Sequence, residues 1–165
     1  MRLALFIAVC VLAGLLVLRF LLKMIFRGVM ADVAADAGRR LAGKTILRRG
    51  PVNFFGRQKA GRAQIRGNGE LFLLEESLVF IMAMPRRELV IPLDCLESVS
   101  LVKSHLGKAV FSPLLRVDYE GEDGRDAVAW WVKDPGQWKD AVLAAWERKV
   151  QDGGPGRAAS GKKEA

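Results

Sequence analysis

The sequence predicts a mainly β protein: a seven-stranded antiparallel barrel capped by a C-terminal α-helix, behind an N-terminal transmembrane helix. Three observations carry this reading. Short alternating or apolar runs separated by turn signals recur between Arg62 and Val132. An amphipathic helical pattern follows from Pro135. At the other end, residues 3–18 (LALFIAVCVLAGLLVL) form an uncharged, mostly apolar run. A chain of 165 residues has room for one ordinary domain besides such a segment.

A helix over 3–18 spans about 24 Å, short of a hydrocarbon core of about 30 Å. Phe20, Leu21 and Leu22 supply the remaining length, with Arg19 snorkelling to the headgroups, so the anchor is expected over 3–27. A cleaved secretory signal, ending near Val29-Met30-Ala31, is the competing expectation. Against it stand a lone Arg2 before the run and strong positive charge after it. Arg2 also stands alone against Arg19, Lys23 and Arg27, with Arg39 and Arg40 further on. The positive-inside bias then places the C-terminal bulk in the cytoplasm, on a plasma (inner) membrane protein with a single pass. Ala4, Ala8, Cys10 and Gly14 offer small residues four apart, a spacing common by chance.

Residues 28–51 are rich in Ala, Gly and Arg and are expected as a basic linker, either a frayed helix or a flexible tether. Each of the eight basic residues from Arg19 to Arg49 gains up to about 1 kcal/mol beside an anionic leaflet; alternatively they only fix orientation. The net charge of +8 is unevenly spread. Arg19 to Asn68 carries twelve Lys or Arg against two acids, whereas Gly69 to Arg148 carries nine against fourteen. The basicity therefore belongs to the segment beside the membrane, and nucleic acid is not an expected partner. Cys10 and Cys95 cannot form a disulfide framework and read as free thiols.

The domain is expected over 52–150. Arg62 to Arg66 alternates, and Gly67-Asn68-Gly69 reads as a hairpin turn. Leu71 to Leu74 and Leu78 to Met82 are apolar runs separated by Glu75, Glu76 and Ser77. Pro85-Arg86 turns into Glu88 to Ile91, Val99 to Lys103 is a further strand, and Leu114 to Glu120 alternates with Leu115, Val117 and Tyr119 on one face. Gly121 to Gly124 is a turn and Asp126 to Val132 the seventh strand. Asp134 then reads as an N-cap with Pro135 at the first helical position. Trp138, Val142, Ala145 and Trp146 form the apolar stripe of the helix. Residues 151–165, opening on Gly153-Gly154-Pro155-Gly156, are expected to be a disordered tail.

In order and spacing, GNGELFLLEESLVFI, RRELVIPLDCLESVSL, LLRVDY and AVAWWVKDPGQWKDAV resemble the pleckstrin-homology (PH) superfold, most closely its bacterial PH-like and GRAM-like members. The resemblance covers roughly 59–148. It implies that Trp138 or Trp146 corresponds to the tryptophan common in the capping helix of such domains. It also implies that basic residues on the first strands and their connecting loop, here Lys59, Arg62 and Arg66, contact lipid headgroups. Gln64 departs from the usual Lys-then-Arg-x-Arg pattern of phosphoinositide binders, which argues against specific recognition and leaves diffuse contact with anionic lipid or an ordinary solvated strand face.

Other chemistry finds little support. His105 is the only histidine, so no histidine cluster for a metal exists, and Ser104 beside it has no evident acid partner. Gly107-Lys108 lacks the rest of a P-loop. Catalysis, cofactors and metals are not expected. Ser104 to Ser112 reads as the longest connection, a surface loop in which His105, Leu106, Lys108 and Phe111 form a partner- or membrane-contacting set, unless the apolar residues tuck beneath the barrel. Trp130 and Trp131 place one indole inside and one outside. The expected function is therefore that of a non-enzymatic, membrane-anchored interaction module that meets a protein partner. Anionic-lipid sensing is the first alternative and an exported protein the second.

Overall fold

The computed structural model describes residues 2–61 and 63–152, the side chains of 2–9, 26 and 34 excepted. The chain divides into two units, Met1–Arg40 and Leu41–Ala165. The first is one helix, α1 (Arg2–Arg40). Its apolar side chains from Val11 to Ile25 are open, between 44% and 65% exposed. Among the described residues, no helix is long and apolar enough to cross a membrane. The expected anchor includes residues 3–9, whose side chains lie outside the described set. Helix continues well past residue 27, so the first half of the expected linker is helical. Arg39 and Arg40 close α1, where cations suit the helix dipole.

The second unit holds its own core. Seven strands, β1 (Ile46–Arg57), β2 (Gly67–Leu74), β3 (Ser77–Met82), β4 (Arg87–Pro92), β5 (Leu96–His105), β6 (Lys108–Gly121) and β7 (Gly124–Val132), are followed by α2 (Pro135–Asp152). They form one antiparallel sheet in the order β4-β3-β2-β1-β7-β6-β5. The expected barrel is thus an open sheet, with β4 and β5 as edges, that curls around a single core. α2 packs on β5, β6, β7 and the short 3-10 turn Leu93–Cys95. Trp138, Val142 and Ala145 are its buried stripe, as the spacing predicts, and Trp146 packs partly against the same cluster. Gln151 and Asp152, expected in the tail, belong to α2; residues 153–165 lie outside the described set.

The number of strands agrees with expectation, but the first strand lies elsewhere. It is β1, whose first half is drawn from the residues expected as linker, and Ala63 to Arg66 belong to the connection between β1 and β2, Arg62 lying outside the described residues. Arg48-Arg49-Gly50-Pro51 masks the strand, because proline gives up a ladder donor. Here Pro51 pairs only toward β2, the β7 ladder beginning at Val52. From Pro51 onward the strand alternates, with Val52, Phe54 and Gly56 buried. Gly67-Asn68-Gly69 is likewise strand rather than turn, paired to Phe54, Asn53 and Val52. At Gly69 the glycine serves close approach: a Cβ there would stand 2.2 Å from the Ile81 carbonyl oxygen and 2.6 Å from the Phe80 ring.

The centre of the core is aromatic. Phe54 stacks on Phe80 at 5.0 Å between centroids, and Trp130 meets Phe80 edge-on at 5.9 Å. Outside this cluster, Arg48 lies 5.1 Å from the Trp138 ring and reaches Gln137 at 3.1 Å, tying β1 to α2. Asp134 has positive φ (54°), and its carbonyl accepts the Trp138 amide at 3.2 Å to open α2.

Candidate functional site

The β1–β2 connection is held from below by one buried carboxylate. Asp126 opens the inward run of β7, and its side chain is 1% exposed. Its Oδ1 accepts the backbone amides of Lys59 (2.9 Å) and Ala127 (2.8 Å). Its Oδ2 accepts Arg57 Nε (2.7 Å) and the Tyr119 hydroxyl (3.3 Å). Burial pushes the carboxyl up, but the two amides and the guanidinium outweigh it and hold the pKa below the ordinary carboxylate range. Burial and the adjacent carboxylate push the Tyr119 hydroxyl up. Gln64 completes the support: its Oε1 accepts the Arg57 amide at 2.7 Å, and its Nε2 donates to the carbonyls of Arg57 (2.6 Å) and Gly61. Gln64 lies against Gly56, whose φ of 115° suits glycine.

Beside this support lies a cavity of about 240 Å³ lined by Lys59, Glu97, Arg116, Asp118, Arg125 and Asp126, among others. Its charges are matched. Arg116 pairs with Asp118 at 2.6 Å and donates to Gln58 at 3.0 Å. Arg125 pairs with Glu97 at 2.7 Å. Burial raises the Asp118 carboxyl, but donation from Arg116 and Ser98 prevails and lowers it. A smaller cavity, about 180 Å³, lies under the connection, with Phe54, Phe80, Met82 and Leu89 as apolar lining and Arg57 and Arg87 among its polar groups.

Of the residues expected to meet lipid, Lys59 donates through Nζ to the Asp123 carbonyl and through its amide to Asp126. Arg66 is half-buried, and its Nε has no acceptor among the described residues. Arg62 lies outside the described residues. Along α1, Arg19, Lys23, Arg27, Arg39 and Arg40 are exposed. Asp36 pairs with Arg39 at 3.6 Å and Arg40 at 3.0 Å.

The expected surface loop over 104–112 is a hairpin. Leu106 and Gly107 form its two-residue turn, with φ of 51° and 75°, the positive pair of a type I′ connection. His105 is not a loop residue: it is 3% exposed, and its Nε2 donates to the Gly56 carbonyl at 3.0 Å. Leu106 is half-buried and Lys108 exposed. Val102 pairs with Leu114 but Ser104 pairs with Ala109, so Val110–Pro113 bulge out opposite Lys103 alone. Phe111 stands on that bulge, fully exposed. On the next strand Trp130 is buried and Trp131 is 42% exposed, as alternation requires. Among the described residues no group of His, Cys, Asp and Glu is arranged to hold a metal ion.

No family model matches the chain, and no curated protein matches it. Solved structures that match include the C-terminal domain of an unknown protein from Leishmania infantum, at 18% identity and a TM-score of 0.49, covering 76% of this chain and 98% of that one. The N-terminal PH domain of Vps36 matches at 19% identity and a TM-score of 0.49, covering 64% and 81%. The DH/PH domains of p115-RhoGEF match at 11% identity and a TM-score of 0.48, covering 65% of this chain and 32% of that one. The fold itself is a mainly β, seven-stranded open antiparallel sheet with one C-terminal helix packed on it.

Proposed function

We propose that this chain is a non-enzymatic interaction module, anchored in the plasma (inner) membrane through the apolar part of α1, whose PH-like domain docks a protein partner at the cytoplasmic face. The anchor is supported by the uncharged run over 3–18 and by the open apolar side chains of α1 from Val11 to Ile25. The orientation is supported by Arg19, Lys23 and Arg27 following that run. The observation that carries the docking reading is a contrast. The cations around the larger cavity are spent on internal partners, whereas Phe111, three residues after exposed Lys108, is offered to solvent on a bulge that lies opposite exposed Lys103. Such a prong suits an apolar pocket rimmed by acidic side chains.

A photoreactive phenylalanine at position 111 of the full chain, irradiated in native membranes, tests this. A discrete protein adduct at 111 and none at exposed Val90 is the expected outcome; lipid adducts alone at 111 would overturn it. The alternative, anionic-lipid sensing, draws on the basic residues of the β1–β2 connection, exposed Lys59 and half-buried Arg66. Sedimentation of fragment 41–165 with anionic vesicles, abolished by salt and by Arg66→Gln, would establish that alternative instead. An intact mass starting near Ala31 would replace the anchor with an exported chain.

A further inference from the structure

The tip of the β5–β6 hairpin makes a contact that strand order does not provide. β5 and β1 are separated by β6 and β7, about 14 Å apart at ordinary strand spacing. Yet His105, the last residue of β5, is hydrogen-bonded to Gly56 in β1. The hairpin end must leave the sheet and fold back across its face, and the four-residue bulge at Val110–Pro113 supplies the bend. His105 is thus the buried end of a strap whose other feature is the exposed Phe111.

The surroundings of His105 favour its neutral form. Burial disfavours the charge first, and the guanidinium groups of Arg116 on β6 and Arg66 before β2 add to this. The Gly56 carbonyl and the Asp118 carboxylate act in the opposite sense, but Asp118 is already shared by Arg116 and Ser98. The imidazole is therefore held below its ordinary range. The buried Arg66 Nε, without an acceptor among the described residues, shows that this corner is rich in donors.

We infer that the hairpin tip is an acid-released latch: neutral His105 straps the tip across the sheet onto β1, and protonation beside Arg66 and Arg116 frees it together with the Phe111 bulge. This holds independently of what Phe111 contacts. Released or unfolded, the imidazole titrates near 6.5. Latch stability is therefore full above that pH and declines as pH falls from 6.5 toward the lower, folded value.

As the only histidine, His105 gives one imidazole signal in a nuclear magnetic resonance titration of fragment 41–165, the unit with its own core. The expected midpoint lies below 6.5. Amide protection at Ser104–Lys108 and Gly56–Gln58 should fall in the same window, by up to about tenfold per pH unit. His105→Gln, which still donates to Gly56 without titrating, should abolish the acid loss of protection, and Arg66→Gln should move the midpoint upward. An imidazole midpoint at 6.5 or above would overturn the inference. So would protection that stays constant while His105 titrates, or the same acid opening in His105→Gln. Should that variant not fold, the wild-type titration and Arg66→Gln decide the matter.

Discussion

Replacing Asp126 by asparagine separates the work of its two oxygens. The remaining carbonyl oxygen can stay on the amides of Lys59 and Ala127, whereas the new amide group would face Arg57 Nε and the Tyr119 hydroxyl. The tyrosine hydroxyl can rotate and accept; Arg57 cannot. A hydrogen bond to a charged group is worth about 1.5–3 kcal/mol, and Arg57, 40% exposed, recovers part of its hydration when released. The expected loss at neutral pH is therefore about 2 kcal/mol, or a Tm lower by about 8 °C at about 4 °C per kcal/mol. Asp126→Ala also strips the two backbone amides and should cost about 4 kcal/mol. Urea unfolding of fragment 41–165, followed by tryptophan fluorescence, measures both, and a cycle with Arg57→Met should return a coupling of about 1.5 kcal/mol. Because the native carboxyl is held below its unfolded pKa of about 3.9, its stabilisation is complete above that pH. It is lost as pH falls through the folded value, a component absent from Asp126→Asn. A loss under about 0.5 kcal/mol, or an unchanged acid slope, would refute the view that Asp126 organises the connection.

Three further outcomes follow from the packing. Gly69→Ala drives a Cβ into the Ile81 backbone and should cost about 3 kcal/mol by thermal unfolding, since the clash is not with a flexible side-chain end. Trp138→Ala empties the site under Arg48 at the α2 interface and should cost about 3–5 kcal/mol in urea. Phe111→Ser, at a fully exposed position, should leave the urea midpoint within about 0.5 kcal/mol of wild type; a larger loss would mean that the ring packs on the domain.

Six strands and the second helix were legible because their side chains follow the periods of a half-buried strand and an amphipathic helix. Leu115, Val117 and Tyr119, then Trp138, Val142 and Ala145, are the clearest cases. β1 was hidden because its first half carries Arg48, Arg49, Gly50 and Pro51, and only Val52-Asn53-Phe54 alternates. Gly69 was misread because glycine marks both turns and close approaches, and the Phe80 ring that distinguishes them is distant in sequence. The supports of the β1–β2 connection were invisible for the same reason. Asp126, Gln64 and His105 are single residues without a spacing signature, and their roles arise where β7, β5 and β1 converge. Only the turn Leu106-Gly107 carried a local cue, a glycine after two residues that end an alternating run.

The central place of β1 bears on how the chain is made. β2 follows at once and covers one side of β1, but the other side belongs to β7, almost the last element synthesised. A growing chain that has produced β1 to β4 therefore exposes an unpaired backbone edge beside Val52 and Phe54, with no lid over their apolar face. That edge is a template for pairing with another nascent chain. The domain becomes safe from such pairing only when Val128 to Val132 emerges and docks on β1, so shortening the chain within β7 should yield aggregates rather than a smaller, loosened domain.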